Sequence, residues 1–390
     1  MKKEIIIIGG GPSGLGLACS LANTNLKITI IEKQTIKKLS SPLYDGREVA
    51  LTHLSKKILK DLKVWRHIPS KFISPIKEAK VLDGNSSYVM HFDSSIVQKK
   101  SLGYLVSNHF IKKALYKEVK TKPNIIIIPN TSATNIISRK QYISLQTSKN
   151  KTLSAPLIIA ADSRFSEIRG RMNINASFNN FKQTAIVCQM SHELKHKNIA
   201  YECFFYGVTL AVLPLVNNVS SIVLTCSKEK SNSLMSFEKK DFNNFITKKF
   251  RNLLGDMKLV NERYSYPLTG VYADCFVKNR FALIGDAAVG MHPVTAHGFN
   301  LGLRGQNILS ERIKFALKYK LDFGLLRVLN RYESELRSIS KPLYLGTNAI
   351  VQLYTKESIL SKIARKAVLR IGNNFIPAKK RIINSLTEIQ

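Results

Sequence analysis

Ile5-Ile6-Ile7-Ile8-Gly9-Gly10-Gly11-Pro12-Ser13-Gly14 is the stretch that decides the fold. Four apolar residues that stop at a glycine cluster read as a buried strand entering a turn. Beyond the turn, residues 15–23 have helical character, and residues 27–31 form a second apolar strand that ends at Glu32. The unit is therefore strand, glycine turn, helix, strand. Gly9 permits the tight turn, Gly11 lets backbone approach a diphosphate, and Gly14 lets the helix pack closely on the sheet. Pro12 and Ser13 open that helix, whose N terminus offers unpaired N–H groups and a positive dipole end to an anion. Ala18, four residues after Gly14, keeps the packing face small. Glu32, with Lys33 beside it, closes the second strand 23 residues after Gly9. A carboxylate there accepts hydrogen bonds from ribose hydroxyls and disfavours a 2′-phosphate, which points to FAD or NAD rather than NADP. The competing reading is a glycine-rich turn that holds no ligand.

Working outward, 390 residues with 44% hydrophobic content can bury a large core, divided into two domains or one domain with a sizeable insertion. The charged start followed by residues 5–8 is too short in its apolar part for an export signal. No run approaches the roughly 18 apolar residues of a membrane span. Five widely spaced cysteines without a CxxC pair argue against a disulfide framework or a zinc site, and a reducing cytoplasm is expected; no metal site is read from the sequence. The formal charge of +34 favours anionic partners, a membrane surface or acidic proteins. Lysine as a preferred surface residue explains the same charge. Nucleic acid is not expected, because no zinc finger, RNP pattern or helix-turn-helix signal accompanies it.

Two further segments extend the nucleotide reading. Ala160-Ala161-Asp162-Ser163-Arg164-Phe165-Ser166 follows an apolar strand, residues 157–159, and reads otherwise as a solvated loop with Ser166 as an N-cap. Gly285-Asp286-Ala287-Ala288, Met291-His292-Pro293 and Gly298-Phe299-Asn300-Leu301-Gly302-Leu303 follow a buried strand, residues 281–284. Asp286 at the end of that strand can accept hydrogen bonds from ribityl hydroxyls, and the loop carrying Pro293, Gly298, Phe299 and Asn300 can bring N–H groups to a flavin pyrimidine edge. A helix dipole there contributes about 0.3–1 kcal/mol toward a reduced, negatively charged ring. Between these segments, residues 177–266 are rich in strand pieces and read as a mostly antiparallel sheet. Beyond Ser340 the chain reads as helix punctuated by Gly346, Gly372 and Pro377.

With all three segments in order, the chain resembles the ubiquinone-biosynthesis group of the para-hydroxybenzoate-hydroxylase-like flavin monooxygenases over about residues 4–385. Asp45-Gly46-Arg47, Ala50-Leu51, Gly103-Tyr104-Leu105-Val106 and Leu213-Pro214-Leu215 add to the likeness. Two departures stand out: Ala296-His297-Gly298 where the family usually has Gly-Gln-Gly, and His109 where an Arg is common; Ser163 also replaces a usual glycine. The resemblance implies an α/β fold in which a Rossmann-like FAD-binding domain with a parallel sheet (residues 1–75, 100–176 and 270–345) is interleaved with a mostly antiparallel substrate domain (76–99 and 177–269), followed by C-terminal helices (346–390). It implies that Arg47 lies along the FAD diphosphate and ribose and that Asp162 supports the cofactor. It also implies NAD(P)H as co-substrate, O2, a flavin C4a-hydroperoxide and a prenylated phenol or quinone precursor, leaving no catalytic residue assigned.

His292 and His297 flank the flavin loop and are read as packing residues or as helpers of a phenol proton. Tyr201, Phe204, Phe205 and Tyr206 are read as core first and pocket lining second. Residues 351–390, with eight Lys or Arg against two Glu, form a basic amphipathic candidate for an anionic membrane surface, or a helix packed on the body or on other quinone-biosynthesis proteins. A polyprenyl reductase of the same fold and a silent FAD-binding scaffold subunit are the alternative functions.

Overall fold

A computed structural model describes residues 3–84, 86, 88–205, 207–355, 370 and 376–388. Its first layer is a six-stranded sheet in the order Val277–Lys278, Phe281–Leu283, Leu157–Ala160, Glu4–Ile8, Lys27–Ile31, Ile125–Ile128. All pairings except the edge one are parallel. Parallel strands covered on both faces read as continuous apolar runs rather than alternating ones, which is why the isoleucines of Glu4–Ile8 and the whole of Leu157–Ala160 are buried. Helices Pro12–Leu21, Asn108–Lys120 and His297–Lys318 pack beside this sheet.

The glycine turn gives way to helix earlier than residue 15. Pro12 occupies the first turn, where its fixed φ suits a helix and its missing N–H costs nothing. Gly346 and Pro342 do not interrupt the long helix Leu326–Thr355. Tertiary contacts hold it: the Tyr332 hydroxyl donates to the Leu283 carbonyl at 2.6 Å, and Tyr272 shares a 3.0 Å hydrogen bond with Ser340. Gly372 lies outside the described residues, and Pro377 falls in the first turn of helix Ile376–Thr387. No described helix is long and apolar enough to cross a membrane.

The second layer is a nine-stranded, mostly antiparallel sheet built on Ala176–His192, Val219–Ser227, Thr209–Pro214 and Ile199–Phe204. Glu78–Asp83, about a hundred residues upstream in sequence, joins its edge in parallel with Ile199–Phe204. The period-2 alternation of strands sorts the side chains. Ile186, Cys188, Leu210, Val212, Ile222 and Leu224 face helices Lys228–Ser236 and Lys239–Lys249 and form a closed core. Ala185, Val187, Ala211, Leu213 and Val223 face the other way and line a cavity. Tyr201 belongs to the core side, edge-on to Phe250 at 5.1 Å, and Phe204 is buried, so both pack rather than line. Phe205 packs against the same core, and Tyr206 lies outside the described residues.

Candidate active site

The cavity, about 750 Å3, lies where the three segments expected at a nucleotide meet the inward face of the second sheet. Its floor follows from backbone geometry. Gly9 has φ +107, and a Cβ there meets the Ala161 carbonyl oxygen at 2.5 Å, so only glycine lets the first and second segments touch. Gly14 closes against the Gly9 backbone, and Gly285, at φ +60, closes against the Ser13 side chain. Gly11 differs: nothing lies within 4 Å of a Cβ built on it, and it faces the cavity.

Of the residues expected at a nucleotide, Gly11, Pro12, Ser13, Arg47, Asp162, Asp286, Pro293, Gly298 and Phe299 line this one cavity. The others lie around it. Glu32 is 6% exposed beneath the glycine loop, its carboxylate accepting from the Gly10 N–H at 2.5 Å and the Gln34 N–H at 2.7 Å. Lys33 is exposed. Asn300 ties the loop to a neighbouring strand: its amide donates to the Ala50 and Ala296 carbonyls at 2.8 Å each, and its oxygen accepts from the Thr52 N–H at 3.1 Å.

Charge is distributed in pairs along the wall. Arg47 donates to Asp45 at 2.6 Å and lies over the Tyr266 ring at 5.3 Å. Burial opposes ionisation of Asp45, but Arg47, Lys112 and Asn108 outweigh it and hold the carboxyl at about 2. Arg164 donates to Asp286 at 2.7 Å and to the Thr269 carbonyl at 2.8 Å, joining the second segment, the third segment and the sheet. That link was not legible in sequence, because Arg164 and Asp286 are 122 residues apart. Asp162 is half-buried, and its Oδ1 has no partner among the described residues; burial pushes its carboxyl upward.

His292 is 4% exposed and lines the cavity, with Nδ1 accepting from the Val294 N–H at 3.1 Å and the ring edge-on to Phe181 at 4.7 Å. That acceptor role leaves the proton on Nε2, which has no partner among the described residues. Burial pushes the imidazole down to about 4, so it is neutral near pH 7. His297 is buried and outside the lining. Two cavity carboxyls escaped sequence reasoning. Burial pushes Glu48 up to about 7 against the hydrogen bonds of Ser107 and Gln189, and burial alone pushes Glu202 up to about 8. Glu48 carried one local signal, its place beside Arg47; Glu202 carried none.

The donor set fits FAD: an open glycine at a helix N terminus, a cation on the wall, an acid with one oxygen free of protein partners among the described residues and a second acid held by an arginine. Sheet, glycine loop and cavity together define a flavin-dependent oxidoreductase whose cavity is walled by a second sheet. Comparison with known proteins narrows the class. Residues 2–343 match the FAD binding domain family. The chain is 41% identical over 391 residues to the ubiquinone hydroxylase UbiM of Neisseria meningitidis, covering 99% of this chain and 85% of that protein. It is 31% identical to the ubiquinone hydroxylase UbiL of Rhodospirillum rubrum, over 95% of this chain and 86% of that one. In fold it is similar to p-nitrophenol 4-monooxygenase PnpA of Pseudomonas putida, with a TM-score of 0.78, 15% identity and 98% of each chain covered. The chain belongs to the FAD binding domain family, in the flavin-monooxygenase group that contains these hydroxylases, and is an FAD-dependent monooxygenase.

Proposed function

We propose that the protein hydroxylates the aromatic ring of a prenylated phenol, a quinone precursor in ubiquinone biosynthesis, using NAD(P)H and O2. The observation that carries this reading is a single cavity bounded by the glycine loop and the 291–299 segment on one side and by the inward face of the second sheet on the other. Bound FAD would supply the redox chemistry of the reaction, hydride acceptance from NAD(P)H and activation of O2.

The chain's own residues bind, orient and exclude water. Gly11 leaves room for the diphosphate, while Gly9, Gly14 and Glu32 hold the loop in shape around it. Arg47 supplies the cation, and Asp286, fixed by Arg164, accepts from ribityl hydroxyls. Asp162 takes a hydrogen bond from the cofactor on its free Oδ1. Pro293, Gly298 and Phe299 form the flavin edge, braced by Asn300 and Gly285, and the N terminus of helix His297–Lys318 favours negative charge there. The charge of +34 suits an anionic membrane surface, where a long-tailed substrate partitions.

Incubation of the reduced enzyme with a prenylated phenol under labelled O2 tests the reading: one labelled oxygen atom enters the ring. Product formation without O2 points instead to a polyprenyl reductase. Tight FAD binding without substrate-stimulated NAD(P)H oxidation points to a scaffold subunit.

A further inference from the structure

Among the side chains that the nine-stranded sheet sends to the cavity wall, Glu202 alone is charged. Strand pairing sets its surroundings. Glu202 lies opposite Ala211, Ala211 opposite Val223, and Val223 opposite Val187, so the four form one row across the inward face. Thr209, Thr225 and Ala185 form the next row. All seven line the cavity. Alanine and threonine leave space on this face that larger residues would fill, and the free volume adjoins the one carboxyl.

Glu202 has no hydrogen-bond or ion-pair partner among the described residues. Its carboxyl is half-buried and opens on the cavity, so a ligand that displaces the cavity water without replacing its hydrogen bonds leaves it unpaired, which costs free energy in either protonation state. A purely structural acid in a sheet is normally satisfied by a neighbour, as Glu48 is by Ser107 and Gln189. The Glu202 carboxyl, half-buried on a wall of small residues and without a protein partner among the described residues, is therefore placed to take a partner that arrives with the ligand.

We infer that Glu202 is the specificity-determining residue that recognises an oxygen substituent of the substrate ring, its carboxyl hydrogen-bonding the ring hydroxyl at the sheet side of the cavity. The inference rests on the proposed function for the class of ligand, a phenol. Anchoring the hydroxyl at the sheet sets which ring edge is presented to the flavin loop, so the same contact selects the carbon that is attacked. A site built to hydrogen-bond a hydroxyl rejects the analogue that lacks it, because the protein group is left buried and unpaired.

The test is equilibrium binding to the FAD-loaded, oxidised enzyme, read by perturbation of the flavin absorbance, with 2-prenylphenol and prenylbenzene as probes. Wild type prefers the phenol by about tenfold or more. Glu202→Leu and Glu202→Met, each checked for FAD content, lower the preference to near unity, and either one suffices if the other loses flavin. Glu202→Gln still presents an acceptor oxygen and keeps the preference to within about threefold of wild type. No preference in wild type, an unchanged preference in a flavin-loaded apolar variant, or a Gln variant indistinguishable from the apolar ones overturns the inference. Binding needs no turnover, so a Glu202-dependent preference in an enzyme that inserts no labelled oxygen overturns the hydroxylase reading and leaves the anchor standing.

Discussion

Gly11 and His292 show how single residues in this cavity carry separable demands. A Cβ built at position 11 meets nothing within 4 Å and the residue lines the cavity, so the Gly11→Trp indole is expected to enter the space assigned to the diphosphate. Purified Gly11→Trp is expected to be colourless, with a far-ultraviolet circular dichroism spectrum like that of wild type; full FAD retention would place the cofactor elsewhere. His292 has its folded pKa depressed from 6.5 to about 4 by burial. A depressed value means that the neutral ring contributes stability above pH 6.5, and that this stability is lost as pH falls through about 4. The loss amounts to about 3 kcal/mol at most. His292→Asn keeps an acceptor for the Val294 N–H and removes the titration. The variant's melting temperature relative to wild type should therefore rise as pH is lowered from 6.5 toward 4, and an unchanged difference across that window contradicts a buried neutral imidazole. The glycines were legible in sequence because their spacing encodes a local turn. The histidine's state was not, since it depends on how deeply the loop is covered.

At the scale of elements, the helix Leu326–Thr355 shows where local signals lose to packing. Proline and glycine in its interior each weaken a helix, yet it continues past both because one face is docked on the flavin sheet. Tyr332 is fully buried, and its hydroxyl donates to the carbonyl of Leu283, the last residue of the strand that leads into Gly285 and Asp286. Tyr332→Phe leaves that carbonyl without its donor and is expected to cost about 1–3 kcal/mol in denaturant unfolding, with FAD retained at saturating concentration. A change within about 0.5 kcal/mol would mean that the docking is purely apolar. The same strand-to-loop junction carries the Arg164–Asp286 pair, so the docked helix and the ion pair both brace the start of the third segment.

For the whole molecule, the charge of +34 and a cavity proposed to take a long-tailed substrate combine into one expectation. The chain should sediment with vesicles containing anionic lipid at low salt and be released at high salt, since each basic group near such a surface contributes about 1 kcal/mol within a screening length. Sedimentation that is absent, or indifferent to salt, leaves the charge as a solvated surface. The basic segment 351–390, on which the sequence reading placed this contact, lies largely outside the described residues, so whole-chain binding is the measurement that bears on it. The sequence by itself determined the βαβ unit, its glycine loop, the order of the three cofactor segments and the antiparallel character of the insert. Each of these is written in local spacing: apolar runs, turn glycines and an acid at a strand end. Only the tertiary structure decided that Glu32 also bonds the glycine loop, that Asn300 ties the third segment to a neighbouring strand, that Arg164 holds Asp286, and that Glu48 and Glu202 share a cavity with Asp286. Those facts depend on strand pairing and burial between residues far apart in the chain, and a carboxyl's chemistry is set by the low-dielectric surroundings such pairing creates.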